Sequence, residues 1–221
     1  MLEVSHIHKK YARKIILEDI SFKADCGECI AIVGRNGCGK TTLMQILAGA
    51  LKPDAGDIQF FGHHPLEKRK YFREYVGYVP QEPPLLEELS VKDNLKLWGV
   101  FQSEHYELIK ETFALEEIMN QKVQKLSGGM KRRLGIACAV SGFPSILLLD
   151  EPTTALDLYY KEEIQQWLQQ YRKMKGIVLL TSHDEKEILS CDRCMVMHQG
   201  SLFELTGEDF TIDKIKKYMN K

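Results

Sequence analysis

The spacing of apolar residues sets the first part of the chain apart from the rest. Residues 16–25 alternate between apolar and polar side chains, and residues 28–34 are almost all apolar. These patterns predict a half-exposed strand followed by a strand covered on both faces. Residues 41–51 place apolar side chains at helical spacing, and a proline and a glycine end this predicted helix before a strand at residues 57–62.

From about Ser90 to Gly142 the apolar spacing is helical almost throughout. Residues 90–99, 106–119 and 128–140 each predict a helix, the first with a serine N-cap. We expect this block to form a helical lobe inserted into an α/β core.

Strands and helices alternate again towards the C-terminus. Apolar runs predict buried strands at residues 145–151 and 176–183, with a polar-faced helix at residues 159–173 between them. Residues 194–205 are typical of a strand, a tight turn and a second strand. Residues 212–221 predict a short amphipathic helix with a basic face.

Length and charge narrow the choice of protein class. The 221 residues fit one domain, in which we expect a core from residues 1–84 and 143–221 and a helical subdomain from residues 85–142. Nucleic-acid-binding domains usually carry a basic excess, whereas the net charge here is -1, so no nucleic-acid partner is expected. No stretch approaches the ~18 apolar residues that span a bilayer, and the N-terminus lacks signal-peptide features, so we expect a cytoplasmic protein.

Two C-x-x-C pairs leave a zinc site open as an interpretation. They are Cys26/Cys29 and Cys191/Cys194. Cys29 and Cys194 each begin an apolar run, which favours small hydrophobic residues within strands over metal ligands.

The sequence GRNGCGKTT at residues 34–42 follows a predicted strand and precedes a predicted helix. It fits the phosphate-binding pattern G-x-x-x-x-G-K-[ST], in which a glycine-rich backbone and a helix N-terminus attract an anion. We expect Lys40 to reach the β- and γ-phosphates and the Thr41 hydroxyl to ligate Mg²⁺. The residues expected to contact the nucleotide are Asn36, Gly37, Cys38, Gly39, Lys40, Thr41 and Thr42.

Acidic residues and a histidine follow two of the predicted buried strands. Asp150 and Glu151 end the run ILLLDE, where Asp150 is expected to bind the metal and Glu151 to act as general base towards water. An acidic helix cap is the alternative. Because parallel strands present their carboxyl ends at one edge, His183 is expected near Asp150 and able to contact the γ-phosphate.

A second glycine motif, KLSGGMKRRLGIA at residues 125–137, also opens a predicted helix. With GRNGCGKTT, YVPQ, LSGG, ILLLDE, TALD and SHD in this order, the chain resembles the ATP-binding subunits of ABC transporters from residue 2 to about residue 206. LSGG is the discriminating motif. The resemblance implies an α/β fold with a P-loop NTPase core, an N-terminal antiparallel β subdomain and an inserted α-helical subdomain.

The resemblance also implies roles for single residues. Tyr11 matches the aromatic residue that stacks on adenine, with a core tyrosine as the alternative. Gln81 matches the glutamine that reaches Mg²⁺ and the attacking water. Asp157 matches the loop that crosses a dimer interface.

LSGG answers why one domain would carry two glycine motifs. By resemblance, Ser127, Gly128 and Gly129 cap the γ-phosphate of an ATP that is bound to the P-loop of a second subunit. Many members have glutamine where this chain has Met130, a departure that concerns fine tuning of the capping contact. The two arginines that follow, Arg132 and Arg133, are expected to face solvent or the partner.

The implied function is that of an ATP-hydrolysing subunit with ATP and Mg²⁺ as cofactors. It would form a dimer, here a homodimer, around two ATP molecules and drive separate transmembrane permease subunits at the inner face of the membrane. The GGM variant resembles the branch that often exports.

Two other functions are weighed against this one. A soluble ABC-type ATPase acting on nucleic acid or ribosomes would lead us to expect a tandem domain, a coiled-coil insertion or a basic stripe. A P-loop kinase would need an arginine-bearing lid and an acceptor pocket in place of LSGG.

Overall fold

The computed structural model describes residues 1–154 and 156–219. Its strands are β1 (Leu2–Tyr11), β2 (Lys14–Ala24), β3 (Cys29–Val33), β4 (Ala55–Phe60), β5 (Val76–Val79), β6 (Ile146–Asp150), β7 (Ile177–Thr181), β8 (Arg193–His198) and β9 (Ser201–Leu205). Its α-helices are α1 (Lys40–Leu47), α2 (Lys70–Tyr75), α3 (Val91–Leu97), α4 (Tyr106–Thr112), α5 (Gly128–Ala139), α6 (Leu158–Lys173), α7 (Glu185–Leu189) and α8 (Ile212–Met219). None of these helices is long and apolar enough to cross a membrane.

The strands form two sheets. An antiparallel sheet has the order β2-β1-β4, and a larger sheet has the order β5-β6-β7-β3-β8-β9, parallel except for β9. All residues of β3, β6 and β7 are buried, as expected for parallel strands covered on both faces. The predicted α/β fold with an N-terminal antiparallel sheet is confirmed.

Alternate residues of the parallel strands belong to two separate cores, since side chains of a strand point to opposite faces in turn. Ile30 and Ile32 of β3 pack with α1 and the antiparallel sheet. Ala31 and Val33 pack on the other side, with residues of α3, α5 and α6. The large sheet is thus the central layer, with α1 and the antiparallel sheet on one face and α3, α5 and α6 on the other.

Helices α3, α4 and α5 lie within the segment predicted to be helical. Ser90 caps α3, because its hydroxyl accepts a hydrogen bond from the backbone of Asp93 at 3.1 Å. The prediction of one helix over residues 106–119 is wrong: α4 ends at Thr112, and a separate 3₁₀ turn follows. Phe113 and Leu115 are both fully buried. An unbroken helix would turn these two side chains about 200° apart, away from a common core.

The cysteines at the start of two strands are core residues. Cys29 in β3 and Cys194 in β8 are 4% and 0% exposed. The Sγ atom of Cys29 lies 3.1 Å from that of Cys191, which is also buried. The interpretation of Cys29 and Cys194 as small hydrophobic residues within strands is confirmed.

Candidate functional site

The loop between β3 and α1 is held open by glycines. Gly37 and Gly39 have φ angles of 77° and 114°, in the left-handed region that disfavours residues with a Cβ. A Cβ on Gly39 would lie 3.0 Å from the backbone oxygen of Ile16, so the loop also passes close to β2. The loop curls directly onto the N-terminus of α1, an arrangement that favours anions.

Lys40 is the first residue of α1, and it is 7% exposed. Its Nζ donates hydrogen bonds to the carbonyl oxygens of Gly34 at 2.8 Å and Arg35 at 3.2 Å. Among the described residues no carboxylate forms a salt bridge with this ammonium. A buried cation held only by carbonyl dipoles fits an anionic ligand such as a phosphate.

Asp150 lies at the end of β6 and is 3% exposed. The Thr41 hydroxyl donates to its Oδ2 at 2.9 Å, and the Thr181 hydroxyl donates to its Oδ1 at 2.5 Å. Hydroxyl and carboxylate oxygens are the donors that hard divalent cations prefer. This set therefore suits such a cation beside the phosphate loop.

The predicted catalytic residues meet around the Glu151 carboxylate. Gln81 donates to its Oε2 at 3.3 Å, Thr154 donates to the same oxygen at 3.1 Å, and the Nε2 of His183 lies 3.5 Å from its Oε1. β6 and β7 are neighbours, with Asp150 opposite Thr181, which brings both strand ends to one edge. The carboxylate can thus accept a proton from a water molecule at this edge.

Glu151 has a left-handed backbone, with a φ of 54°. This conformation costs a non-glycine residue about 1 kcal/mol or more and persists where its surroundings enforce it. Here the Glu151 N–H donates to both the carbonyl and the hydroxyl oxygen of Thr181, each at 3.1 Å. With this backbone, the Glu151 carboxylate lies within reach of Gln81, Thr154 and His183.

These elements border a cavity of about 300 Å³. Its lining residues are Ile16, Asn36, Gly37, Gly39, Lys40, Thr41, Thr42, Gln81, Asp150 and Glu151. Cys38 is half-buried and packs on the core beneath the loop.

Sequence reasoning missed several residues of the site. Ile16 lines the cavity, and no sequence pattern points to it. Thr181 and Thr154 bind the two acidic residues. Thr181 is the polar residue that ends the apolar run of β7, and this polar strand end is a signal in the sequence that could have pointed to the site.

Tyr11 lies at the end of β1, and it is 48% exposed. The Lys9 ammonium lies 5.6 Å from the centre of its ring. The exposed ring excludes the alternative of a core tyrosine.

The LSGG motif begins α5 but lies outside the phosphate cavity. The Ser127 hydroxyl caps the helix by accepting from the backbone of Met130 at 3.2 Å. Ser127 and Gly128 are exposed and Gly129 is half-buried, and none of the three lines the cavity around Lys40. Asp157 is likewise exposed and caps α6, accepting from the backbone of Tyr160 at 3.0 Å.

The expectation that Arg132 and Arg133 face solvent or a partner is wrong. They are 4% and 3% exposed. Arg132 binds main-chain carbonyls near the cavity, while Arg133 donates to the carbonyl of Phe113 at 3.0 Å and lies 3.7 Å over the Tyr160 ring. Buried arginines look like surface residues in sequence, because only tertiary structure supplies their acceptors.

Known proteins share this sequence pattern. The sequence model of the ABC transporter family matches residues 17–154. Nod factor export ATP-binding protein I of Sinorhizobium fredii is 34% identical over 98% of this chain and 67% of its own length. Spermidine/putrescine import ATP-binding protein PotA of Mycoplasma mycoides is 34% identical over 93% and 61%. Linearmycin resistance ATP-binding protein LnrL of Bacillus subtilis is 32% identical over 93% and 68%, so the chain spans about two thirds of these relatives.

Solved structures share the fold. The ATP-binding subunit of an ABC transporter superimposes with a TM-score of 0.91 at 27% identity and covers 100% of both chains. A dimeric ATP-binding cassette in a post-hydrolysis state, bound to ADP and Pi, has a TM-score of 0.86 at 25% identity, over 93% of this chain and 98% of its own. The chain belongs to the ABC transporter family, as an ATP-binding cassette ATPase.

Proposed function

We propose that the chain is the ATP-hydrolysing subunit of an exporter, which forms a homodimer around two ATP molecules and drives separate transmembrane subunits. One observation carries this proposal. A buried lysine, a hydroxyl–carboxylate pair and a glutamate with three polar neighbours converge on one cavity, while the exposed Ser127 and Gly128 of LSGG lie outside it.

The residues of the cavity divide the work of hydrolysis. Lys40 binds the β- and γ-phosphates, and Thr41 and Asp150 would hold Mg²⁺. The cation would neutralise charge on the phosphate oxygens. Asn36, Gly37, Gly39 and Thr42 line the same loop side of the cavity and contact the phosphates through the backbone and side chains.

Glu151 serves as the general base. It accepts a proton from the water molecule whose oxygen attacks the γ-phosphorus. The bond between the γ-phosphorus and the bridging oxygen then breaks, which releases phosphate and leaves ADP. Gln81 and His183 contact this carboxylate from two sides and orient it together with the water.

The LSGG motif, with Ser127 and Gly128 exposed, completes the cavity of a second copy. A capping serine uses its oxygen as acceptor and keeps its O–H as a donor, so Ser127 offers a hydrogen bond to a phosphate. Gly128 and Gly129 let that phosphate approach the helix N-terminus. Asp157, exposed at the start of α6, belongs to the same dimer interface in this proposal.

Mixing two inactive variants tests the shared sites. Lys40→Ala damages the P-loop, and Ser127→Arg blocks the LSGG motif; each alone is expected to lose turnover. An equimolar mixture is expected to recover about a quarter of wild-type turnover, because half of the random dimers contain one intact composite site. The rate of phosphate release measures the turnover of each variant and of the mixture. Full activity of Ser127→Arg alone, or no recovery in a mixture shown to form heterodimers, contradicts the shared sites.

Tyr11 is proposed to stack on the adenine ring. It is exposed at the end of β1, and β1 pairs with β2, which contributes Ile16 to the cavity. Tyr11→Ala is expected to weaken binding of a fluorescent ATP analogue about 10-fold, the usual cost of a lost base–aromatic stack. Tyr11→Phe keeps the ring and is the matched control, with affinity close to wild type. Equal affinities of the alanine and phenylalanine variants would exclude stacking.

Export is the proposed direction, at the cytoplasmic face of a membrane. The relatives include export and resistance proteins as well as an import protein, so they do not decide the direction. The feature that favours export is the methionine that follows the two glycines of LSGG. A neighbouring reading frame with about six transmembrane helices is expected. Vesicles that contain both proteins decide the direction: ATP outside should drive substrate inwards for an exporter, and the opposite flux would contradict it.

A further inference from the structure

Arg132 of α5 binds four main-chain carbonyls. Its Nη1 donates to Pro80 at 2.5 Å and to Gln81 at 3.2 Å, its Nε donates to Pro152 at 3.1 Å, and its Nη2 donates to Asp150. The guanidinium thus uses four of its five N–H groups on backbone oxygens.

These carbonyls belong to the two segments that carry the residues of the hydrolytic step. One acceptor is Gln81 itself, and the acceptors Asp150 and Pro152 lie on either side of Glu151. The backbone of Glu151 is left-handed, and the Gln81 side chain donates to its carboxylate at 3.3 Å. One side chain therefore fixes both segments relative to each other.

The Arg132 charge has no ion-pair partner among the described residues. Burial lowers its pKa to about 10, which still leaves it protonated at neutral pH. The carboxylates of Asp150, Glu187 and Glu151 favour the charged form through space. Among the described residues, the hydrogen-bond acceptors of this cation are all main-chain carbonyls. The Arg132 side chain joins three chain segments, and this role accounts for a buried arginine here better than packing does.

α5 connects this junction to the LSGG motif. Ser127 caps the helix, and Arg132 follows five residues later, on the same rigid element. We propose that Arg132 is a positioning residue that holds Glu151 and Gln81 in place for hydrolysis and couples them to the nucleotide that a second copy presents at Ser127. This inference rests on the proposed function, since it requires the shared sites.

Arg132→Met is the test variant, because methionine fills the space without donors. Arg133→Met is its matched control: Arg133 is equally buried on the same helix but binds Phe113 and Tyr160, away from the cavity. We expect Arg132→Met to lower kcat about 10- to 100-fold while affinity for fluorescent ATP stays within about twofold, because displaced catalytic groups slow chemistry and the P-loop is untouched. Coupling between the two shared sites predicts a wild-type Hill coefficient for ATP above 1. In Arg132→Met this coefficient should fall to 1.

Arg133→Met is expected to lose comparable thermal stability yet keep kcat and the Hill coefficient of wild type. Arg132→Lys keeps the charge but offers one nitrogen as donor, and it replaces the methionine variant if that protein does not fold. Its kcat should fall while its affinity for ATP stays unchanged. Equal kcat in the Arg132 and Arg133 variants overturns the positioning role. A wild-type Hill coefficient of 1 overturns the coupling. Failure of the two-variant mixture to recover activity instead removes the proposed function, whatever the kcat of Arg132→Met.

Discussion

Lys40→Ala is expected to reduce ATP turnover at least about 100-fold, the range seen when a preorganised charge is removed from a transition state. Among the described residues, the buried Lys40 ammonium binds only carbonyl oxygens of its own loop. Its positive charge is therefore available to a bound phosphate. Alanine favours helices, and α1 should therefore still form. Phosphate release and fluorescent ATP binding measure the loss.

Lys52→Ala is the matched control for this variant. Lys52 is exposed shortly after the other end of α1, and its removal changes the net charge equally. We expect its turnover to equal that of wild type. Unchanged turnover in Lys40→Ala would contradict the assignment of residues 34–42 as the phosphate site.

Glu151→Gln is expected to lower turnover about 1000-fold and to trap a dimer with bound ATP. A general base contributes about 100- to 10,000-fold, and the amide keeps an oxygen that accepts from Gln81 and Thr154 but takes up no proton. In the proposed dimer, ATP that is not hydrolysed would continue to bridge the P-loop of one copy and Ser127 of the other. Size-exclusion chromatography with light scattering, with and without ATP, measures the dimer.

Two controls separate the causes of dimer formation. Glu162→Gln makes the same chemical change at an exposed position of α6, and it should neither slow turnover nor trap a dimer. Adding Lys40→Ala to Glu151→Gln should abolish the ATP-dependent dimer. A Glu151→Gln protein that binds ATP but stays monomeric would contradict the proposed dimer.

Several parts of the site follow from local sequence. The glycine spacing of residues 34–42 needs a strand before it and a helix after it, and β3 and α1 supply them. The parallel order of strands was enough to expect His183 beside the acidic residues, and its ring lies 3.5 Å from Glu151. Ser90 and Ser127 are helix caps, as short polar residues before helical runs often are.

Other parts depend on contacts between distant segments. The apolar pattern of residues 106–119 continues through Ala114, yet the helix breaks there because Phe113 and Leu115 both enter the core. Ile16 lines the phosphate cavity only because β2 passes under the loop. Arg132 looks like a surface residue in the sequence, and its four acceptors come from segments 18 to 52 residues away.

The sequence by itself determined the family, the phosphate loop and the acidic strand end, because each is set by residue types within a few positions of one another. Only the tertiary structure decided which side chains surround Glu151, why its backbone is left-handed, and that Arg132 of α5 is buried against the segments that contain Gln81 and Glu151. The physical reason is that a buried polar group takes its partners from wherever the fold brings a donor or acceptor. Such partners leave no periodic signal in the chain.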